Sequence, residues 1–470
     1  MKGFVSICVV GGALLLATAC KDNAPGNGTA PGNEIAAGNS TAPAKAGINP
    51  VVDTCNTTLP PSPAVVTPAI AHSGLPCSLA FQGKVALEPL QEAFDFNSWL
   101  TFVALSAPAG GSSPGPDAPA AWQGWQDLGS LMLPDGAAPP PFGSSVPPPK
   151  ICTGGPAGAP VLQMISKTPV TPTVSVAGQP LNTGPLIDQN GHYVRYQILV
   201  NEPMYDYIVA NHLYSKAGQQ AFTGTIAFPV GDTKKDSTSG TIGAIVVKAS
   251  WMVLGPHDDP AKFHVTRAYV YTPPSTGVSE SCKTETLGLV GIHIVHKTAG
   301  EPQWIWSTFE HVDNVPTAAK AGKPTNAAYH FYNPSCSAAK CPINKQPPQP
   351  WNASIDPFPD GFHSQIVRTT KYPPEALRSA ALWNDQFQPA LKGSVLANYE
   401  LITTQWPTDA KNPTDPNGAP FPVYAANATM ETYVQGNVPQ ASSSCMACHG
   451  NATTTTGKES DFSFVLEKAH

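Results

Sequence analysis

Charge is scarce in this chain: Asp, Glu, Lys and Arg make up 12% of its 470 residues and leave a net charge of −6. No basic cluster breaks that balance, so the surface that nucleic acid requires is missing and nucleic acid is excluded as a partner. Long apolar runs are rare too. The run from Phe4 to Leu16 is too short to cross a bilayer as a helix. No internal repeat stands out. In excess are proline and glycine, 52 and 40 residues, which suits an exported, loop-rich, strand-containing protein and not a helical bundle.

Residues 1–19 join a basic start, Lys2, to that apolar run and to small residues, the pattern of a secretory signal. Leu16-Ala17-Thr18-Ala19-Cys20 resembles a bacterial lipobox, which implies cleavage before Cys20 and a lipid anchor on its thiol. An ordinary signal peptide with a chance cysteine is the alternative. Residues 20–50 carry almost no large apolar side chain and cannot bury enough surface to offset their ordering entropy. They read as a tether holding a globular body at a membrane, in the periplasm or on the outer membrane. Residues 51–189 read as an N-terminal extension packed on the core, and 190–470 as the main domain with an insert at about 316–420.

Ten cysteines divide by position. Cys8 leaves with the signal and Cys20 takes the lipid. Cys445-Met446-Ala447-Cys448-His449 has the spacing of a covalent c-type haem site: two thiols one helical turn apart form thioethers, and the histidine that follows becomes an axial iron ligand. Half a zinc site or a redox disulfide are the alternatives, but neither the further zinc ligands nor a βαβ context appears around Cys445. Cys55, Cys77, Cys152, Cys282, Cys336 and Cys341 remain. An even number in an oxidising compartment predicts three disulfides, with Cys336–Cys341 the first pair to expect.

The body alternates well enough to predict strands over Tyr193–Val200, GTIAFPV, GAIVVKASWMVL and FHVTRAYVYT, and a hairpin over GLVGIHIVHK and PQWIWSTFEHV. Helices are expected over 85–105, broken near Asp95 to Ser98, after Pro203, near 374–402 and, briefly, in TMETYVQ. Residues 106–190 read as irregular surface excursions with short strands near 160–177, and DFSFVL as strand-like. The fold class is α+β: a mainly antiparallel sheet flanked by helices, with long Pro/Gly-rich loops. It is not the helical class I cytochrome c fold, because only 21 residues follow His449 and none is methionine. A methionine ligand would have to come from upstream, from Met430 or Met252.

A haem motif at the C-terminus behind a β-rich body resembles the cytochrome P-460 and cytochrome c′-beta family. The resemblance rests on YVRYQILVNEPMYDYIVANHLYSKAGQQ, TIAFPVGDTKKDSTSGTIGAIVVKASW, GIHIVHKTAGEPQWIWSTFE and SSCMACHGNATTTTGKESDFSFVL. It covers roughly 190–315 and 425–470, and the chain is similar besides to exported "cytochrome c family" lipoproteins. The resemblance implies one covalently bound haem c with His449 below the iron. It also implies a lysine beside the haem, cross-linked in P-460 cytochromes and not in c′-beta relatives, and Lys248 stands at the matching position.

Read from the residues alone, Lys248 is the single charge in Ile245 to Leu254, on the face of Val246, Ser250 and Met252. It either contacts the cofactor or snorkels from a strand edge. Trp304 and Trp306 share a face and either fill the core or wall the haem pocket. Glu310 or His311 is then a candidate acid/base for bound peroxide, hydroxylamine or nitric oxide. His293, His296, His311 and His330 are candidate sixth ligands, with His293 and His296 on opposite faces. Arg195 and Glu202 either line the pocket or, as isolated charges near the opening strand, lie on the surface. The expected function is a haem redox enzyme or small-ligand binder. The alternatives are an electron-transfer cytochrome with a second protein ligand, serving a redox partner protein, or a surface lipoprotein whose haem is secondary.

Overall fold

The computed structural model describes residues 52–53, 66–71, 75, 79–80, 86–108, 118–163, 183–231, 242–274, 279–298, 300–325, 327–348, 356, 362, 364–410, 418–436 and 443–470. The expected signal and tether, with Cys8 and Cys20, lie outside these residues, as do Cys55, Cys77 and the turn at 232–241. No helix among the described residues is long and apolar enough to cross a membrane.

The chain begins with β1 (Val52–Asp53), α1 (Pro68–Ala71), β2 (Leu79–Ala80) and the long α2 (Leu87–Ser106). Next come β3 (Gln126–Asp127), α3 (Leu128–Leu131), β4 (Val161–Leu162), β5 (Arg195–Val200), α4 (Glu202–Ala210) and α5 (Lys216–Ala221). The central strands are β6 (Ile245–Val253), β7 (Val265–Thr272), β8 (Ser281–His296) and β9 (Ile305–His311). The chain closes with α6 (Pro374–Ala390), β10 (Tyr399–Pro407), β11 (Pro420–Phe421) and α7 (Cys445–His449). The fold is α+β. Its main sheet runs β11-β10-β9-β8-β6-β5-β3, with β7 on the far half of β8 and β4 parallel to β7; the other pairings are antiparallel.

Alternation along the strands gives the sheet two buried faces. On one lie Leu199, Val247, Ala249, Trp251, Ile292, Ile294 and Phe309, covered by α2 and α6. Trp99 of α2 stacks on Phe387 of α6 at 5.0 Å, and Phe102 stacks on Phe309 at 4.4 Å. α6 offers Ala376, Ala380, Trp383 and Phe387, a three-to-four spacing that makes one stripe. α2 differs: it is buried nearly all round, including Asp95, Asn97 and Ser98. Its broken apolar period therefore does not break the helix. Asp95 takes hydrogen bonds from Gln91, Ser379 and the Thr404 amide, and Ser98 bonds Ser307 and Thr404, so the polar positions face partners and not water.

Several expectations change. The helix expected after Pro203 is two, α4 capped by Asn201 and α5 capped by Ser215, separated where His212 takes a φ of 55°. GTIAFPV forms no strand: the Ala244 amide donates to Pro229 O, the Phe228 amide donates to Asp461, and a bridge joins Gly231, just beyond it, to Ile242. Trp122, in a stretch read as surface, is fully buried against Trp251, and β3 extends the sheet. The segment read as an insert supplies both α6 and β10, and β10 pairs with β9 from Tyr399↔His311 to Gln405↔Trp306. TMETYVQ forms turns, and DFSFVL ends in the 3-10 turn Phe464–Lys468. Cys336–Cys341 and Cys152–Cys282 are disulfides.

Candidate functional site

The motif CMACH forms α7, a single turn. Ser444 caps it, its Oγ accepting from the Ala447 amide, and the Cys448 amide donates to the Ser444 carbonyl. Met446, between the cysteines, is buried in the apolar cluster that also holds Trp306 and Val295 of the sheet. The i, i+3 spacing then sets Cys445 and Cys448 together on the turn; neither is in a disulfide and both are half-buried. Gln405 of β10 binds α7 to the sheet. Its Oε1 accepts from the Met446 amide, and its Nε2 donates to Pro422 O, Val423 O and Ser444 Oγ.

His449 sits between Trp306, at 4.5 Å, and Phe464, at 4.9 Å. Its Nδ1 lies 2.8 Å from the carbonyl of Phe462. A carbonyl only accepts, so Nδ1 carries the proton and Nε2 is left as a lone pair, the form that ligates a metal. Phe462 and Asp461 both hold left-handed backbone, φ 63° and 52°, as does Trp304, at 69°. Such conformations cost non-glycine residues about 1–3 kcal/mol each and persist only where the surroundings impose them. Here Trp304 Nε1 donates to Asp461 O, while the Asp461 carboxylate accepts from Lys297 and the Phe228 amide.

Strand register lays out the sheet face beneath α7 in rows. Val200, Val246, Val295, Trp306 and Gln405 form the first row, and Ile198, Lys248, His293, Thr308 and Thr403 the second. Tyr196, Ser250, Gly291, Glu310 and Glu400 form the third. The first row is apolar apart from Gln405, and the next two are mainly polar, with Ile198 and Gly291 the exceptions.

Lys248 has no hydrogen bond or ion pair among the described residues. Burial pushes its amine below the usual lysine range, opposed by the Cys448 and Cys445 sulfurs, which places it within electrostatic reach of both thiols. His293, directly across from Lys248, has its Nε2 3.3 Å from Glu431 Oε2, and that oxygen accepts from the Asn427 amide.

Residues 427–431 cover the polar rows. Asn427 donates to Thr308 Oγ1 and Phe309 O, Thr429 bonds Ser250 Oγ, and Tyr196 donates to Thr429 O. Gly291 admits them: a Cβ there would meet Thr429 Oγ1 at 2.2 Å. Glu310 is held by Arg368 at 3.0 Å and accepts from the Ala428 amide at 2.7 Å. Arg368 also pairs with Glu400. Two buried atoms here, Arg368 Nε and Thr403 Oγ1, lack a partner.

The structure thus brings together Cys445, Cys448, His449, Trp306 and Lys248, with Trp304 one step behind through Asp461. It does not bring Glu310 or His311 to them. Glu310 lies four residues along β9 from Trp306, about 13 Å at strand rise, and is bound in its ion pair. His311 faces the other side of the strand, stacked on Phe263 at 4.5 Å. Its Nε2 donates to Lys262 O, its Nδ1 accepts from the Asp313 amide, and burial pushes its pKa down to about 4. His296 is likewise pushed to about 4 by burial, and His330 packs beside His311.

Met252 and Met430 fill a core cluster with Tyr196, Phe263 and Val290. Arg195 is fully buried and paired with Asp356, where a surface charge was one expectation, while Glu202 is exposed in the first turn of α4. Glu431, Asn427, Gln405 and Asp461 carry no local signal: each becomes part of the site only through pairing of distant segments. A shallow concavity of about 460 Å³ beside α5, lined by His212, Tyr214 and Phe222 among others, contains none of the expected site residues.

Against known proteins, no family model, no curated protein and no solved structure matches this chain.

Proposed function

We propose that this is an exported, lipid-anchored, monohaem c-type protein of the P-460/c′-beta kind, a haem redox enzyme or small-ligand binder. One haem c is held by thioethers to Cys445 and Cys448, with His449 as the proximal iron ligand. In this reading the fold departs from the small helical cytochrome c and carries its long Pro/Gly-rich segments as loops.

The observation that carries the reading is the pairing of two cysteines outside any disulfide on one turn with a histidine whose Nδ1 proton is committed to Phe462 O. That donor set fits the group: sulfurs for two thioethers and one neutral imidazole nitrogen. A bound haem supplies one-electron chemistry and a site for a diatomic, peroxide or hydroxylamine ligand. The chain's own residues orient and shield. Trp306 and Phe464 flank the imidazole, Met446 and Gln405 fix the turn to the sheet, and Lys248 presents an amine to the space beside the thiols. The Lys248 position also supports a lysine–haem contact, which the resemblance implies. His293 lies on this face and is the residue behind a second reading, an electron-transfer cytochrome with the sixth position filled by protein.

Absorption spectra of the purified protein, reduced and then exposed to carbon monoxide, separate these readings. High-spin bands that shift with carbon monoxide are expected, whereas unresponsive low-spin bands favour electron transfer. Haem should survive acid-acetone extraction and be lost in Cys445→Ala/Cys448→Ala. Wild-type protein matured in an exporting host without covalent haem would overturn the proposal.

A further inference from the structure

The tail that holds His449 is itself held by charge. The Asp461 carboxylate accepts from Lys297 and from the Phe228 amide at 2.6 Å, and its carbonyl accepts from Trp304 Nε1 at 3.1 Å. The two charged side chains are 6% and 10% exposed, and Lys297 Nζ lies 5.9 Å from the centre of the Trp304 ring. Lys297 leaves the end of β8, Trp304 precedes β9 and Phe228 precedes β6, so three separate segments converge on one residue. Asp461 and Phe462 are both left-handed. Two consecutive non-glycine residues do not hold that conformation unaided. Its effect is to aim the Phe462 carbonyl at His449 Nδ1, 2.8 Å away.

We propose that Asp461 is a positioning residue for His449. The buried Lys297–Asp461 pair fixes the left-handed Asp461–Phe462 turn, and the turn selects the Nδ1–H tautomer of His449, presenting Nε2 for ligation. Neither charged residue needs to touch His449 or the cofactor; they act through the Phe462 carbonyl. The inference rests on the haem reading for its purpose but not for its test.

The test is made in full-length chain carrying Cys445→Ser/Cys448→Ser, which attaches no haem, so that imidazole ¹⁵N shifts report the His449 tautomer directly. With Asp461 intact, Nδ1 is expected in the protonated range and Nε2 in the bare range. Asp461→Ala with Lys297→Met leaves no unpaired buried charge and should shift both nitrogens to values averaged between the tautomers. Asp461→Asn with Lys297→Met keeps an acceptor for the Phe228 amide but not the ion pair, and should bring the shifts only part of the way back to wild type.

In haem-loaded protein the Ala/Met variant should move the iron–histidine vibration to lower frequency and change the reduction potential, while covalent haem content stays unchanged. A folded Ala/Met variant that keeps wild-type shifts, or that loses only thermal stability, overturns the role of Asp461. Absence of haem from wild type overturns the functional reading and leaves the tautomer result standing.

Discussion

On the α2/α6 side of the sheet, β6 presents Ile245, Val247, Ala249, Trp251 and Val253; on the other side the same strand presents Val246, Lys248, Ser250 and Met252. β9 divides the same way, Phe309 toward α2, Trp306 and Glu310 toward α7. Both faces are covered, and a sheet buried on both sides gains most when both are apolar. The helical face follows that rule with stacked aromatics. The α7 face departs from it with Lys248, His293, Thr308, Glu310 and the covering Asn427 and Glu431. A polar band in such a place costs stability unless its groups are partnered, and here most of them are, through Asn427, Thr429, Glu431 and Arg368.

Breaking the helical face should give the largest effect on folding. Trp99→Ala removes a fully buried ring that touches Phe102, Phe309 and Phe387. It should lower the unfolding free energy by about 3–5 kcal/mol, read from urea denaturation, and leave the absorption spectrum unmoved. A loss below about 1 kcal/mol would mean that the two faces do not differ in the way stated.

Lys248→Met is the opposite probe. Since burial already disfavours the charged amine, the variant should unfold at the same or higher temperature while its spectrum changes. Destabilisation with an unchanged spectrum would return Lys248 to an ordinary structural role.

The smallest effect concerns the helical face's own polar exception. Burial pushes the Asp95 carboxyl from 3.8 up to about 7, against hydrogen bonds from Ser379, Thr404 and Gln91. The folded state therefore holds a proton that the unfolded chain releases, so the stability Asp95 contributes is full below about pH 3.8 and lost as pH rises through about 7. Asp95→Asn should flatten the wild-type fall in urea midpoint across that window. An identical slope in the variant would assign the fall to other groups.

Much of this was legible from order along the chain. The CMACH spacing, the alternation of β5 to β9 and the shared face of Trp304 and Trp306 are local patterns, and the structure keeps them. Alternation counted onward from Trp306 would also have separated Glu310 from His311, since four residues return to the same face and five do not. What was not legible depends on distant pairing. The segment around Asn427 and Glu431 has no period of its own and acquires its place by lying over Gly291 and Ser250. α2 lost its period because it is enclosed on every side, a tertiary condition that no window of sequence displays. β10 begins inside the stretch that reads as the end of a helix, but the helix stops at Ala390 and Tyr399–Ile402 are strand, and only the register of β10 with β9 puts Gln405 under the CMACH turn.

The lock on His449 has a consequence in time. Asp461 reaches Phe228 across 233 positions of chain and Lys297 across 164. Contacts of such separation form late, because the ordered loops between them must close first. Loop closure across such separations predicts that the turn at Asp461 and Phe462 sets after the sheet that receives it. Pulsed hydrogen exchange should find the Phe228 amide protected after those of β6 and β8.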